Sequence, residues 1–270
     1  MSSGVRMPAV AGQFYPGDAE ELGQEVDRYT RDGGEKISAL GCLVPHAGYI
    51  YSGQVAGAVF GRLELPRRVL MMCPNHTGKG EPLAVMSAGQ WLTPLGKVSI
   101  DEELAHLLKG RCPLLAEDSR AHLREHGLEV QLPFLQKLRP DFTFVPIVIG
   151  AGRYQTLEAL GKAIADTLAA IPEKVLVVAS SDMNHYESDE VTRIKDGRAL
   201  KCVLALDPRG LYDVITQQNV TMCGFGPAIA MLEAALSAGA AHAELIKYAT
   251  SGDVSGDRRM VVGYAGVVVR

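Results

Sequence analysis

The chain alternates between short aliphatic runs and longer stretches with helical spacing, and this alternation constrains its fold more than any other feature. The aliphatic runs fall at 39–44, 69–72, 83–86, 142–149, 175–179, 245–248 and 260–269. They are continuous rather than period-two, so each predicts a strand buried on both faces. Between them, 19–31, 101–109, 127–138, 156–170, 191–206 and 227–238 carry amphipathic patterns that predict helices. The expected fold is therefore α/β, a mixed, largely parallel sheet covered by helices on both faces. With 270 residues, no internal repeat and no long Pro/Gly/Ser linker, 1–270 is expected to form a single domain.

Composition narrows the function classes. At 47% hydrophobic and 21% charged residues the chain lies near the globular average, which excludes disorder and extended coiled coil. A formal charge of -4 provides no global basic field, so no nucleic-acid partner is expected. No window reaches the length of a spanning apolar helix and the N-terminus lacks a signal-peptide core, so the expectation is a cytoplasmic protein with no membrane partner. The five cysteines form an odd set without a CxxC pair, which predicts reduced thiols. A special cysteine would then be a ligand or a nucleophile. Nothing in the pattern assigns an oligomeric state.

In open α/β sheets ligands gather beyond the carboxyl ends of strands. Three of the apolar runs end there in histidine: Pro45-His46, Asn75-His76, and Ser180-Ser181-Asp182-Met183-Asn184-His185. A single strand-end histidine is ordinarily a loop cap. Three of seven in equivalent positions point to metal binding or proton transfer, the two tasks imidazole performs near neutral pH. Cys223, ahead of a Gly/Pro turn opening a helix, offers a fourth member whose thiol the helix dipole is expected to acidify. Ser180 and Ser181 read as supports of the Asp182 turn, because no GxSxG elbow occurs.

His122, Glu125 and His126 match HxxEH, an inverted zinc-protease pattern, although Gly127 and Pro133 interrupt a helix there and no third ligand is identifiable. Asp253, within a Ser/Gly/Asp stretch at 251–257, reads as part of a turn between strands. No dinucleotide fingerprint or P-loop is present.

Six motifs together resemble the Memo protein family: PAVAGQFYP at 8–16, PHAGYIYSG at 45–53, PNHTG at 74–78, EHGLEVQLP at 125–133, SSDMNHY at 180–186 and CGFGP at 223–227. They run in family order across nearly the whole chain. The resemblance implies a fold like that of class III extradiol dioxygenases, with His46, His76 and Cys223 as metal-site residues and Asp182 and His185 lining the same cleft. It also implies that Glu125, His126 and Glu129 belong to a family block of which His122 is not a fixed part. Cys73 stands where the family pattern has glycine, placing a second thiol near His76. On this reading the cofactor is one metal ion, Fe(II) or copper rather than zinc, the thiolate favouring a softer ion than a two-histidine, one-carboxylate set would. Asp182 would orient His185 and His185 would move a proton, while Tyr49, Tyr186 and His126 would contact substrate. The expected function is that of a non-haem metal-dependent oxidoreductase, dioxygenase-like, whose partner is a small, phenolic substrate. A non-catalytic metal-binding or peptide-binding adaptor is the alternative.

Overall fold

The computed structural model describes residues 4–31 and 34–270. In chain order the strands are Val5–Arg6 (β1), Gly41–Val44 (β2), Arg68–Pro74 (β3), Leu83–Val85 (β4), Gln90–Thr93 (β5), Gly96–Ser99 (β6), Ala116–Glu117 (β7), Thr143–Ile149 (β8), Val175–Ser180 (β9), His185–Glu187 (β10), Ala243–Thr250 (β11) and Val261–Val269 (β12). Nine of them form one sheet in the order β10-β12-β2-β9-β3-β8-β4-β7, with β11 also paired to β12. Its centre, β2-β9-β3-β8, is parallel, and β12 and β4 add antiparallel flanks. The remaining strands, β1, β5 and β6, make a separate small sheet.

The apolar runs are continuous because successive side chains feed two different cores. Leu70 and Met72 of β3, Val145 and Ile147 of β8, and Val177 and Ala179 of β9 pack on one side against helices Tyr154–Leu168 and Phe225–Ser237. Their neighbours Val69, Met71, Leu176 and Val178 pack on the other side with helices Ala19–Thr30, Tyr49–Arg62 and Leu132–Leu138. Fully burying one such side chain contributes about 1.5–3 kcal/mol, so both helical layers are held by the same strands.

All seven expected strands and all six expected helices are present, with ends moved by a few residues. The stretch expected to be helical over 127–138 is divided. Glu129–Gln131 forms a single 3-10 turn, and the α-helix begins at Leu132 with Pro133 in its first turn. The 251–257 stretch contains a short helix at Gly252–Ser255, with Asp253 paired to Arg193 and Arg258. Helices Tyr49–Arg62 and Pro208–Gln217 and the β5–β6 hairpin have no counterpart in the sequence reading.

Because β2, β9 and β3 run parallel side by side, their carboxyl ends open on one edge of the sheet. Val44, Ser180 and Pro74 are the last residues of these strands, and the candidate histidines follow directly.

Candidate metal centre

His46, His76 and Cys223 each offer a donor atom, and these atoms all lie within 4.8 Å of one another. Cys223 Sγ is 3.2 Å from His46 Nε2. Metal–nitrogen bonds near 2.0 Å and metal–sulfur bonds near 2.3 Å at a tetrahedral centre place such a pair roughly 3.5 Å apart, so this donor set fits an ion.

Hydrogen-bond accounting fixes which ring nitrogens are available. Ser180 Oγ donates its one proton to Gly127 O at 2.6 Å, so it can only accept from His46 Nδ1, 2.9 Å away, and from Gln131 Nε2 at 3.0 Å. His46 is therefore protonated at Nδ1 and carries its lone pair on Nε2, beside Cys223. Glu125, fully buried, accepts from His76 Nδ1 at 2.7 Å and from the His76 backbone N–H at 2.8 Å, which leaves His76 Nε2 as the donor atom. A carboxylate behind a ligating imidazole sets its tautomer and raises its basicity.

Electrostatics agree with neutral His46 and His126 rings near a carboxylate. Burial, then the neighbouring His76, lowers His46 to about 3. Burial likewise lowers His126 to about 4. For Glu125 burial works upward, but the hydrogen bond from His76, with help from the Gly127 N–H, outweighs it and holds the carboxyl down at about 2.

Cys223 is delivered by the turn before helix Phe225–Ser237. Gly224 caps that helix, and a Cβ there would lie 2.4 Å from Ser181 Cβ and 2.5 Å from Ser180 O, so only glycine lets the turn approach the end of β9. Asp182 N–H donates to Cys223 Sγ at 3.2 Å, and Asp182 Oδ1 accepts from His46 N–H at 2.7 Å. One residue thus ties two donor segments together.

A family model described as Memo-like protein matches residues 6–268. The chain belongs to the Memo family. A MEMO1 family protein of Methanopyrus kandleri is 42% identical over 281 aligned residues, covering 98% of this chain and 99% of its own. One from Aquifex aeolicus is 43% identical over 266, covering 98% of each. The crystal structure of an uncharacterized protein from Escherichia coli K12 superimposes with a TM-score of 0.50 at 13% identity, covering 84% of this chain and 98% of that one, and shares the fold alone.

Within this Memo-family chain several residues stand differently from their sequence reading. The Cys223 thiol is not acidified: burial, reinforced by the Asp182 carboxylate, pushes it upward and outweighs the helix terminus. A bound cation would reverse this, since a coordinating thiol is deprotonated outright. Asp182 makes no hydrogen bond to His185; the His185 ring is held by Thr221, with Nδ1 2.9 Å from Thr221 O. Tyr49 is 3% exposed, packed among Tyr15, Tyr29 and Phe134 with its hydroxyl donating to Val130 O, which leaves no ring face for a substrate. Cys73 is a fully buried core thiol, and burial pushes it well above the usual range.

His122 and His126 do not share a helix, since 119–128 is a succession of turns. Fully buried, His122 lies with its two nitrogens near Asp118 O and Pro146 O, so the zinc-protease pattern is not assembled. His126 stacks on His76 with ring centroids 4.5 Å apart and touches His46 edge-on, closing one side of the centre. Tyr186, 70% exposed and held at φ 60, stands beside His185 with centroids 5.5 Å apart.

Four supporting residues escaped the sequence reading. Thr221, bonded to His185 and Asn184, and Gln131, bonded to Pro45 O and Ser180 Oγ, act through hydrogen bonds that leave no periodic signal. Arg6 and Tyr15 converge on buried Glu129, which also accepts from Ala9 and Val10 N–H and so fastens the segment 6–15 to the loop carrying Glu125 and His126. Among the described residues no helix is long and apolar enough to cross a membrane.

Proposed function

We propose that this Memo-family protein is a metal-dependent oxidoreductase, dioxygenase-like in its chemistry, that acts on a small phenolic compound at the His46–His76–Cys223 centre. The observation that carries the reading is the convergence of two imidazole nitrogens, each left bare by a fixed tautomer, with one cysteine sulfur 3.2 Å from His46 Nε2. Fe(II) or copper, when bound, would supply Lewis-acid affinity for a phenolate and redox chemistry, with thiolate favouring copper and imidazole suiting both.

The chain's own residues support the remaining tasks. His185 donates Nδ1–H to Thr221 O, so its Nε2 is a proton acceptor for a phenolic hydroxyl. The exposed Tyr186 ring offers an aromatic face next to that acceptor. Asp182, pushed upward by burial, holds the His46 backbone and the Cys223 sulfur in register rather than exchanging protons with substrate.

The test begins with metal quantification in protein purified without chelator, then in His46→Ala, His76→Ala and Cys223→Ser. Stoichiometric Fe or Cu in the parent and at least tenfold lower affinity in each variant is expected. Unchanged occupancy in all three would refute the ligand set. Oxygen consumption with catechols then tests the reaction, and full metal occupancy with no turnover of any aromatic candidate would favour the peptide-binding adaptor instead.

A further inference from the structure

Asn184 has no part in the centre itself, yet it is completely buried one residue before His185. Its side chain is fully occupied. Oδ1 accepts from Thr221 N at 3.0 Å and from Thr221 Oγ1 at 3.1 Å, while Nδ2 donates to Glu187 Oε2 at 2.7 Å and reaches Thr192 Oγ1 at 3.4 Å. The amide orientation follows, since a flipped amide would face an N–H with its NH2 and a carboxylate with its oxygen.

Thr221 completes the loop. Its Oγ1 accepts from the His185 backbone N–H at 2.7 Å, and its carbonyl accepts from His185 Nδ1 at 2.9 Å. Thr221 lies two residues before Cys223, on the segment that brings the sulfur to His46. Asn184 itself is anchored through its backbone, with N–H donating to Asp196 Oδ1 at 2.8 Å and O accepting from Gly263 N–H at 2.9 Å.

We infer that Asn184 and Thr221 form a clasp that sets the tautomer of His185, keeping the proton on Nδ1 and Nε2 bare as an acceptor. They are positioning residues, and their role rests on the proposal that His185 moves a proton. A neutral histidine free in water prefers the opposite tautomer, with the proton on Nε2. The clasp therefore imposes a form that the ring would not choose alone. It also joins the His185 strand to the Cys223 segment, so the proton acceptor and the sulfur are placed by one set of hydrogen bonds.

Nitrogen NMR of the full-length, metal-free protein at alkaline pH, where histidine is neutral, reads the tautomer directly. The parent is expected to show His185 predominantly protonated at Nδ1. Thr221→Val removes the hydroxyl at nearly constant volume and keeps the carbonyl that accepts from Nδ1, but frees that carbonyl from its anchorage to Asn184 and the His185 N–H. It is expected to shift the tautomer ratio toward Nε2–H by roughly twofold to fivefold, up to the worth of one hydrogen bond. Thr221→Ser, which restores the hydroxyl, should return it. An unshifted ratio in Thr221→Val, or an equal shift in Thr221→Ser, would overturn the clasp. If Thr221→Val does not fold, Thr221→Ala read against Thr221→Ser supplies the same comparison. The readout needs no metal, so failure of the clasp and failure of the metal-centre proposal are seen in separate experiments.

Discussion

Ser180 Oγ lies 2.9 Å from His46 Nδ1 and, having given its proton to Gly127, holds the imidazole with Nε2 turned to the sulfur of Cys223. Ser180→Ala removes the hydroxyl that accepts from His46 Nδ1 and loosens both the tautomer and the ring orientation. Metal affinity should fall about 10–100-fold, as for other residues that orient a ligand from behind. The loss of fold stability should be smaller, about 1–2 kcal/mol for the hydrogen bonds from Gln131 and to Gly127. Competition titration against a chromophoric chelator measures the first and urea denaturation the second.

Glu125→Gln makes a sharper test of the partner behind His76. The carboxylate accepts from His76 Nδ1, His76 N–H and Gly127 N–H, three donors that an amide with one oxygen cannot all satisfy. Metal affinity is expected to drop by about tenfold or more, with the protein still folded. Equal affinity in parent and variant would show that His76 needs no orienting carboxylate.

A buried carboxyl outside the donor set makes stability depend on pH. Burial raises Asp196 to about 7, only partly offset by hydrogen bonds from Tyr248 and the Asn184 N–H. A raised carboxyl pKa means that the folded state takes up a proton. The stabilisation is full below the unfolded value of about 3.9, declines as pH rises through 7 and is flat above, spanning on the order of 4 kcal/mol. Denaturation midpoints measured across that window should slope downward with rising pH in the parent. In Asp196→Asn the slope should be largely lost.

Glu129 is fully buried, with Arg6, Tyr15 and the Ala9 and Val10 N–H groups all directed at it. Removing it in Glu129→Ala leaves the Arg6 guanidinium buried without its counter-ion, so the expected loss is about 3–5 kcal/mol. Chemical denaturation checks the magnitude. Trp91, stacked under Arg6 at 4.2 Å, reports the local change by its fluorescence.

The sheet was legible because its central strands are buried on both faces and show unbroken aliphatic runs such as 175–179 within Val175–Ser180. Helix Tyr49–Arg62 was not, since three glycines within YIYSGQVAGAVFGR argue against helix by propensity alone. Packing reverses that preference: a Cβ on Gly57 would fall 2.5 Å from Tyr29 Cβ, so glycine is what lets helix Ala19–Thr30 settle against this one. Convergence of His46, His76 and Cys223 was readable from strand ends plus family motifs. The acceptors Ser180 Oγ behind His46 and Thr221 O behind His185 were beyond reach, because a hydrogen bond to a hydroxyl or a backbone carbonyl imposes no spacing on the sequence. The direction of the Cys223 shift was misjudged for a related reason, as helix-end chemistry can be read locally and burial cannot.

The separation of His46 and Cys223 by 177 positions along the chain has a consequence for biogenesis. Parallel strands pair only after long loops have closed, which is the slow part of assembly for such topologies. The two donor atoms can meet only once β2 has paired with β9 and helix Phe225–Ser237 has docked. Unlike a zinc finger, whose ion is a template for a nascent chain, a centre built this way would take up an ion only into a chain already folded, from whatever carrier or pool it then encounters.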